Sequence, residues 1–498
     1  MEIIICGGTI INAYGRKESD VRINDGVITE TGSGLETATA QKVIDATGLF
    51  VLPGAIDVHT HLQMKMGDTF SADGYMSGTK AAACGGVTTV FDYTLQENGR
   101  SLLDEIRERE ALAVDAACVD YAFHGGMSRV NFDTLNGIPE LVRAGFPSIK
   151  AYMTYDFGLN DKELFRLFKA SAASGALVTV HAESDAIVSV NREEFRAAGR
   201  GDVWHHYLSR PEIAEEEADI RAVMLAEAAG APVYIVHLAN AGGKEFLTQW
   251  KKRRAADLRT VPVYVETCPH YLEFTNEVYK KPDGIRYICS PPIKGEESRK
   301  ALWEGIADGT VDVIATDHCP SQSFEKDRGR DDFTLAPNGL MGIENMYPYM
   351  LDAAGEYETA RKQGSKSKMA SEISRKQGTD AMKTSENDDK GTGLTYERAV
   401  ELCSYNPARI FGCENKGEIA PGKDADIVLY DPEKEFTITA SGMHSDIDYT
   451  IYEGRKLKGY PVMTLSRGMI VYEDGVFKGE AGYGRLVRRN APAAFRPV

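Results

Sequence analysis

The residues best suited to chemistry in this chain stand at the ends of short apolar runs. The first such run, VLPGAIDVHTHLQ at residues 51–63, closes on His59 and His61. Side chains alternate faces along a strand, so two histidines two positions apart point the same way. A pair of imidazoles on one side of a strand end is half of a metal site, although a bare His-x-His also arises by chance in loops. Later runs repeat the placement: Lys150 lies in SIKAYM, His181 in VTVHAE, His237 in IVHL and Asp317 in IATDH. One histidine at a strand end is commonly structural, and Lys150 alone reads as a snorkelling lysine. Four histidines and an aspartate at matching ends form a donor set for divalent cations.

Those ends have to be gathered by the fold. Strand candidates from residue 55 onward are 55–59, 87–93, 119–125, 148–153, 177–182, 233–238, 263–268 and 311–317, with helical segments such as 101–115, 161–174 and 212–229 between them. Eight such units with near-continuous apolar strands predict an α/β fold, a closed (β/α)8 TIM barrel, whose chemistry belongs at the C-terminal ends of its strands. A doubly wound open sheet is the alternative, disfavoured because no GxGxxG follows the first strand. Residues 1–52 read as a thin antiparallel sheet, and residues 416–480 again as strand and turn. The two ends are expected to pair into a small β-sandwich beside a barrel domain of residues 53–415. The polar stretch 355–394 reads as an exposed insertion, partly helical or disordered. Residues 481–498, with Arg485, Arg488, Arg489, Pro492 and Pro497, read as an extended C-terminal arm, either a frayed tail or a strap to another subunit.

Composition narrows the partners. A net charge of −17 over 498 residues argues against nucleic acid or an anionic membrane, both of which need basic patches. The N-terminus lacks a basic region before its short apolar run, and no run of about 18 apolar residues occurs, so neither a signal peptide nor a membrane span is expected. The eight cysteines are scattered without a CxxC, the usage of a reduced, cytoplasmic protein.

With DVHTHLQ, CGGVTTVFD, SIKAYMTYD, VTVHAESD, VYIVHLAN, ETCPHYL, CSPPIK, VIATDHCP, PNGL and APGKDADIVLYDP in place, the chain resembles the cyclic amidohydrolases over nearly its full length. Within them it is most similar to the dihydropyrimidinase and D-hydantoinase group, phenylhydantoinases included. The resemblance implies two divalent metal ions, usually Zn2+. His59, His61 and Asp317 would hold one, His181 and His237 the other, and a carbamylated Lys150 (N6-carboxylysine) would bridge them. The physical sense is plain: burial lowers a lysine pKa, and the neutral amine adds CO2 to give a carboxylate on a long arm. Metal coordination in turn lowers the pKa of water from ~16 to about 7. The resemblance further implies that Asp317 is the general base and then acid, and that Tyr155 stabilises the oxyanion. Ser290 and Asn338 match positions that bind the substrate's amide edge through backbone groups.

The implied substrate is a small cyclic amide or imide. Met64, Met66, Phe70, Leu95, Tyr152 and Phe157 suit an apolar or aromatic 5-substituent, favouring 5-substituted hydantoins, then dihydropyrimidines. Lys65, Gln96 and Glu97 leave room for polar groups. Gln63 replaces the arginine with which dihydroorotases grip a carboxylate; allantoinase remains an alternative. The collapsin-response-mediator proteins share the fold as non-enzymatic scaffolds but have lost metal ligands, whereas all six positions are filled here. A homodimer or homotetramer is the family's usual assembly. Of the other histidines, His318 is expected to face away from the site, His205 and His206 to lie in a loop, His270 to sit near the mouth and His124 to line the pocket.

Overall fold

The computed structural model of the protein describes residues 1–38, 40–97, 100–376 and 393–495. Eight parallel strands lie side by side in sequence order: β1 (Ala55–Thr60), β2 (Val87–Tyr93), β3 (Asp120–Gly126), β4 (Ser148–Tyr152), β5 (Leu177–His181), β6 (Val233–Ile235), β7 (Val263–Thr267) and β8 (Val313–Ile314). Their residues are buried almost without exception, which explains the continuous apolar runs in the sequence. Just beyond β8 the chain meets β1. The His61 N–H donates to the His318 carbonyl at 2.9 Å, and the His318 N–H donates to the His59 carbonyl at 3.3 Å. The buried Asp57 carboxylate accepts the Thr316 N–H at 3.1 Å and the Thr316 hydroxyl, pinning the seam where the sheet closes into a barrel.

Ile56, Val58, Phe91, Ala122, Leu177, Tyr234, Val236, Val313 and Ala315 form one apolar cluster with Ile410 and Phe411 of the helix Asn406–Phe411. Outside the barrel, Asp161–Ser174 shows why the intervening segments are helices. Asn160 caps it by accepting the Lys162 and Glu163 N–H groups, Leu164, Leu167, Phe168 and Ser171 form its buried face, and Gly175 at φ 78° ends it.

The chain ends do meet beside the barrel. Phe50–Pro53 pairs with Ile427–Thr437 in a seven-stranded sheet, and a four-stranded sheet shares its apolar cluster of Ile3, Ile5, Val21, Ile23, Ile427, Leu429 and Leu465. The first fifty residues are not purely antiparallel, however. Glu2–Cys6 runs parallel to Lys42–Asp45, and Thr9–Asn12 runs parallel to Phe50–Pro53. The apolar residues of this stretch are shared between two sheets, a split that alternation alone does not reveal. Of the insertion, residues up to 376 continue the helix Met346–Lys376, and 377–392 lie outside the described residues.

Over its described length the C-terminal arm packs on its own barrel. Val487 N–H donates to the Tyr121 carbonyl at 2.7 Å, and the buried Arg489 donates to Ser148 Oγ at 2.8 Å with its guanidinium over the Phe91 ring. None of the eight cysteines is in a disulfide, and no described helix is long and apolar enough to cross a membrane.

Candidate metal centre and active site

The strand ends converge on one cavity of about 1150 Å3. β1 ends in His59 and His61, and their Nε2 atoms lie 3.1 and 3.0 Å from the same oxygen of Asp317. The candidate ligand atoms of these three residues all lie within 4.8 Å of one another. Across the barrel, His237 Nε2 and His181 Nδ1 approach to 2.9 Å. Lys150, at the centre of β4, stands between the groups with Nζ 3.4 Å from His59 Nε2 and 4.6 Å from the Tyr93 ring centroid. All six residues expected from the sequence are therefore brought together.

Electrostatics suit a bound cation. Burial holds His61, His181 and His237 below the usual imidazole range, in the neutral form that offers a lone pair. Burial pushes Asp317 upward, but the His59 and His61 rings outweigh it and keep the carboxyl well below its ordinary value. Lys150 is buried, and no carboxylate pairs with it among the described residues. Burial lowers its pKa to about 8, only partly opposed by Asp317 and Glu266, which leaves an appreciable fraction of neutral amine near pH 7. Four buried histidines and a carboxylate gathered about a buried lysine without a counter-ion suit a bound divalent metal ion.

Two carboxylates that the sequence reading assigned no role stand behind the histidines. Glu266, at the end of β7, accepts from His59 Nδ1 at 2.7 Å, from the His237 N–H at 3.0 Å and from the Tyr234 hydroxyl at 2.9 Å. Glu183 faces His181 Nε2 at 2.8 Å and is ion-paired with the buried Arg210. Such backing orients a ligating ring and raises its basicity. Their positions held the signal: Glu266 ends a barrel strand, and Glu183 follows His181 by two.

Tyr155 follows β4 at φ 77°, with its ring centroid 5.2 Å from that of His181. Burial pushes its pKa up to about 12, so the phenol keeps its proton at neutral pH and can donate it. Ser290 and Asn338 line the same cavity from two facing loops, and Ser290 Oγ and Asn338 Oδ1 have no hydrogen-bond partner among the described residues. Met64, Met66, Phe70, Leu95, Tyr152 and Phe157 also line it, together with Lys65, Gln96 and Glu97.

The remaining histidines divide. His318 is turned to Asp73, with Nε2 at 2.9 Å, outside the cluster as expected. His205 and His206 lie in the helix Val203–Ser209 and not in a loop; Asp202 caps that helix. His124 does not line the cavity, because its ring is held by Ser148 Oγ at 2.6 Å and the Val58 carbonyl at 3.1 Å. His270 is buried in the short helix Pro269–Glu273 and does not line the cavity either.

A parallel barrel that collects four histidines, a lysine and an aspartate at one cavity defines a hydrolase with a candidate metal centre. Comparison with known proteins agrees. The amidohydrolase family model matches residues 50–471. An Escherichia coli D-phenylhydantoinase is 39% identical over 493 residues, covering 98% of each chain. A dihydropyrimidinase from Brevibacillus agri superposes with a TM-score of 0.88 at 34% identity, over 100% of both chains. An L-hydantoinase from Arthrobacter aurescens gives 0.81 at 28% identity, over 98% of this chain and 99% of its own. The chain belongs to the amidohydrolase family, in its hydantoinase and dihydropyrimidinase group.

Proposed function

We propose that the protein opens the ring amide of 5-substituted hydantoins and 5,6-dihydropyrimidines, giving N-carbamoyl amino acids. The observation that carries this reading is the convergence of His59, His61, Lys150, His181, His237 and Asp317 opposite the Ser290 and Asn338 loops. His59, His61 and Asp317 would hold one divalent ion and His181 and His237 a second, with the Lys150 carbamate between them; the nitrogen and oxygen donors suit Zn2+. When bound, such ions supply a nucleophile at neutral pH and polarise the carbonyl under attack.

The chain's own residues do the rest. Asp317 takes the proton of the attacking water and returns it to the departing ring nitrogen, so that the carbon–nitrogen bond breaks to give a carboxylate and a neutral carbamoyl group. The Tyr155 hydroxyl donates to the tetrahedral oxyanion. Backbone groups at Ser290 and Asn338 hold the amide edge. The 5-substituent lies against Met64, Met66, Phe70, Leu95, Tyr152 and Phe157, whose apolar surface excludes water from it. Assembly as a homodimer or homotetramer in the cytoplasm completes the proposal, and light scattering on the purified protein tests the assembly.

A substrate panel on metal-replete protein tests the chemistry: hydantoin, both 5-phenylhydantoin enantiomers, dihydrouracil, allantoin and dihydroorotate. Turnover of phenylhydantoin or dihydrouracil, with dihydroorotate left intact, is expected. No turnover of any cyclic amide overturns the proposal.

A further inference from the structure

The short helix Ser323–Asp327 carries a lysine for which the chemistry above has no use. Lys326 is 0% exposed, and no carboxylate pairs with it among the described residues. Its Nζ instead donates to three backbone carbonyls: Ile288 at 2.7 Å, Pro337 at 2.7 Å and Gly339 at 2.8 Å. Three acceptors take all three N–H bonds of an ammonium.

Burial lowers the Lys326 pKa to about 7, while three carbonyls around Nζ favour the protonated form with its three donors. A methionine would fill the same space without the cost of burying a charge. What the ammonium supplies is donors where the backbone has few. Pro291, Pro292 and Pro337 have no N–H, and neither loop belongs to a strand. A single backbone bond, Gly339 N–H to the Ile288 carbonyl at 3.1 Å, joins the same partners. Gly339 sits at φ 133°, and a Cβ there would lie 2.2 Å from the Cys319 carbonyl oxygen, so at this residue the backbone packs directly on the neighbouring loop. The carbonyls that Lys326 gathers belong to the two loops that bear Ser290 and Asn338. Ile288 precedes Ser290 by two residues, and Pro337 and Gly339 flank Asn338.

We propose that Lys326 is a positioning residue whose ammonium sets the distance between the Ser290 and Asn338 loops, and so the width of the cradle for the substrate's amide edge. This rests on the proposed function, in which those loops hold that edge. The cradle acts on bound substrate before and during attack alike, so its loss should raise KM far more than it lowers kcat.

The test compares wild-type and Lys326→Met holoenzymes on the substrate that the wild type turns over best. A KM raised at least tenfold is expected, with kcat within about threefold and metal content unchanged. Hydrogen exchange of the amides around Ser290 and Asn338 should accelerate in the variant and remain unchanged around His59. Lys326→Gln, which retains two donors, carries the same comparison if the methionine variant does not fold, with an intermediate KM expected. A KM within twofold of wild type, unchanged exchange in both loops, or a loss confined to kcat or metal content overturns the assignment. If wild-type holoenzyme hydrolyses no cyclic amide, the functional reading itself has failed; exchange in the two loops then still reports on the clamp.

Discussion

Replacing Glu266 separates the work of a carboxylate behind a proposed metal ligand from its work as a structural acceptor. It is 0% exposed and accepts three hydrogen bonds, two at Oε1 from His59 Nδ1 and the His237 N–H and one at Oε2 from the Tyr234 hydroxyl. In Glu266→Gln the amide oxygen can keep the two bonds at Oε1, and the Tyr234 hydroxyl can turn to accept from the new NH2. The geometry survives while the negative charge behind His59 is lost. Loss of such a partner weakens metal binding about 10- to 100-fold, or about 1.4 to 2.8 kcal/mol. Glu266→Ala strands all three donors in the core at about 1 to 3 kcal/mol each, a total of roughly 3 to 9 kcal/mol. That is comparable with the whole stability of a typical domain, about 5 to 15 kcal/mol. The assay is the metal-to-protein ratio across a chelator series, alongside thermal unfolding of the metal-free proteins. The glutamine variant should give up metal at 10- to 100-fold lower chelator concentration with nearly unchanged apo stability, and the alanine variant should unfold far earlier. A glutamine variant that retains metal as the wild type does would refute the electrostatic backing. An alanine variant as stable as the glutamine one would refute the count of stranded donors.

Lys150→Met removes the proposed bridge while keeping an apolar side chain of similar length, and should cut bound metal from two per chain to one or fewer by elemental analysis, with hydrolysis lost. In Asp317→Asn the turnover per bound metal should fall at least about 100-fold, since general acid–base transfer is worth about 10²–10⁴; steady-state kinetics normalised to metal content decide it. His206 is buried and donates from Nε2 to the Cys289 carbonyl at 2.8 Å, and burial lowers its pKa to about 3. The unfolded chain then takes up a proton below about pH 6.5 that the folded chain refuses, so stability on this account is full above pH 6.5. It falls by about 1.4 kcal/mol per pH unit as pH drops from about 6 toward 4. Denaturant unfolding of His206→Gln should show a shallower loss over that window than wild type.

What the sequence made legible follows from how locally each feature is encoded. The barrel could be read because eight runs buried on both faces leave eight apolar segments. The candidate ligands could be read because the histidines and the aspartate stand at the ends of such runs and Lys150 within one. Beyond the strand-end positions of Glu266 and Glu183, the partners of their supporting groups could not. Glu266 meets His59 across 207 residues, and Lys326 reaches the carbonyls of Ile288, 38 residues before it, and of Pro337, 11 after. An acceptor that is a backbone carbonyl leaves no mark in the sequence at all. The docking of the arm was not legible for a related reason: nothing in its polar, proline-bearing composition shows that Arg489 buries its guanidinium over Phe91 against the barrel. Alternation likewise could not show which strands of the first fifty residues run parallel.

Backbone strain gives an independent line toward the same site. Among the described residues, seven that are not glycine have positive φ. Three of them, Asp25, Arg467 and Asp474, are each followed by a glycine that is also at positive φ, the pattern of tight turns. The other four are Gln63, Tyr155, His237 and Asp317, at φ of 50°, 77°, 41° and 50°, and all four line the active-site cavity. Each such residue costs of order 1 to 3 kcal/mol and persists only where its surroundings fix it. Here they do. The Gln63 N–H donates to the Asp73 carbonyl at 2.7 Å, the Gly158 N–H to the Tyr155 carbonyl at 2.8 Å, and the N–H groups of His237 and Leu238 are both held by Glu266. β6 stops two residues short of His237 and β8 three short of Asp317. A left-handed step at each residue re-aims a side chain that an extended strand would direct elsewhere, bringing His237 onto His181 and Asp317 onto His59 and His61. The apolar runs therefore bring these residues to the rim, and the strained steps beyond the strands aim them at one another.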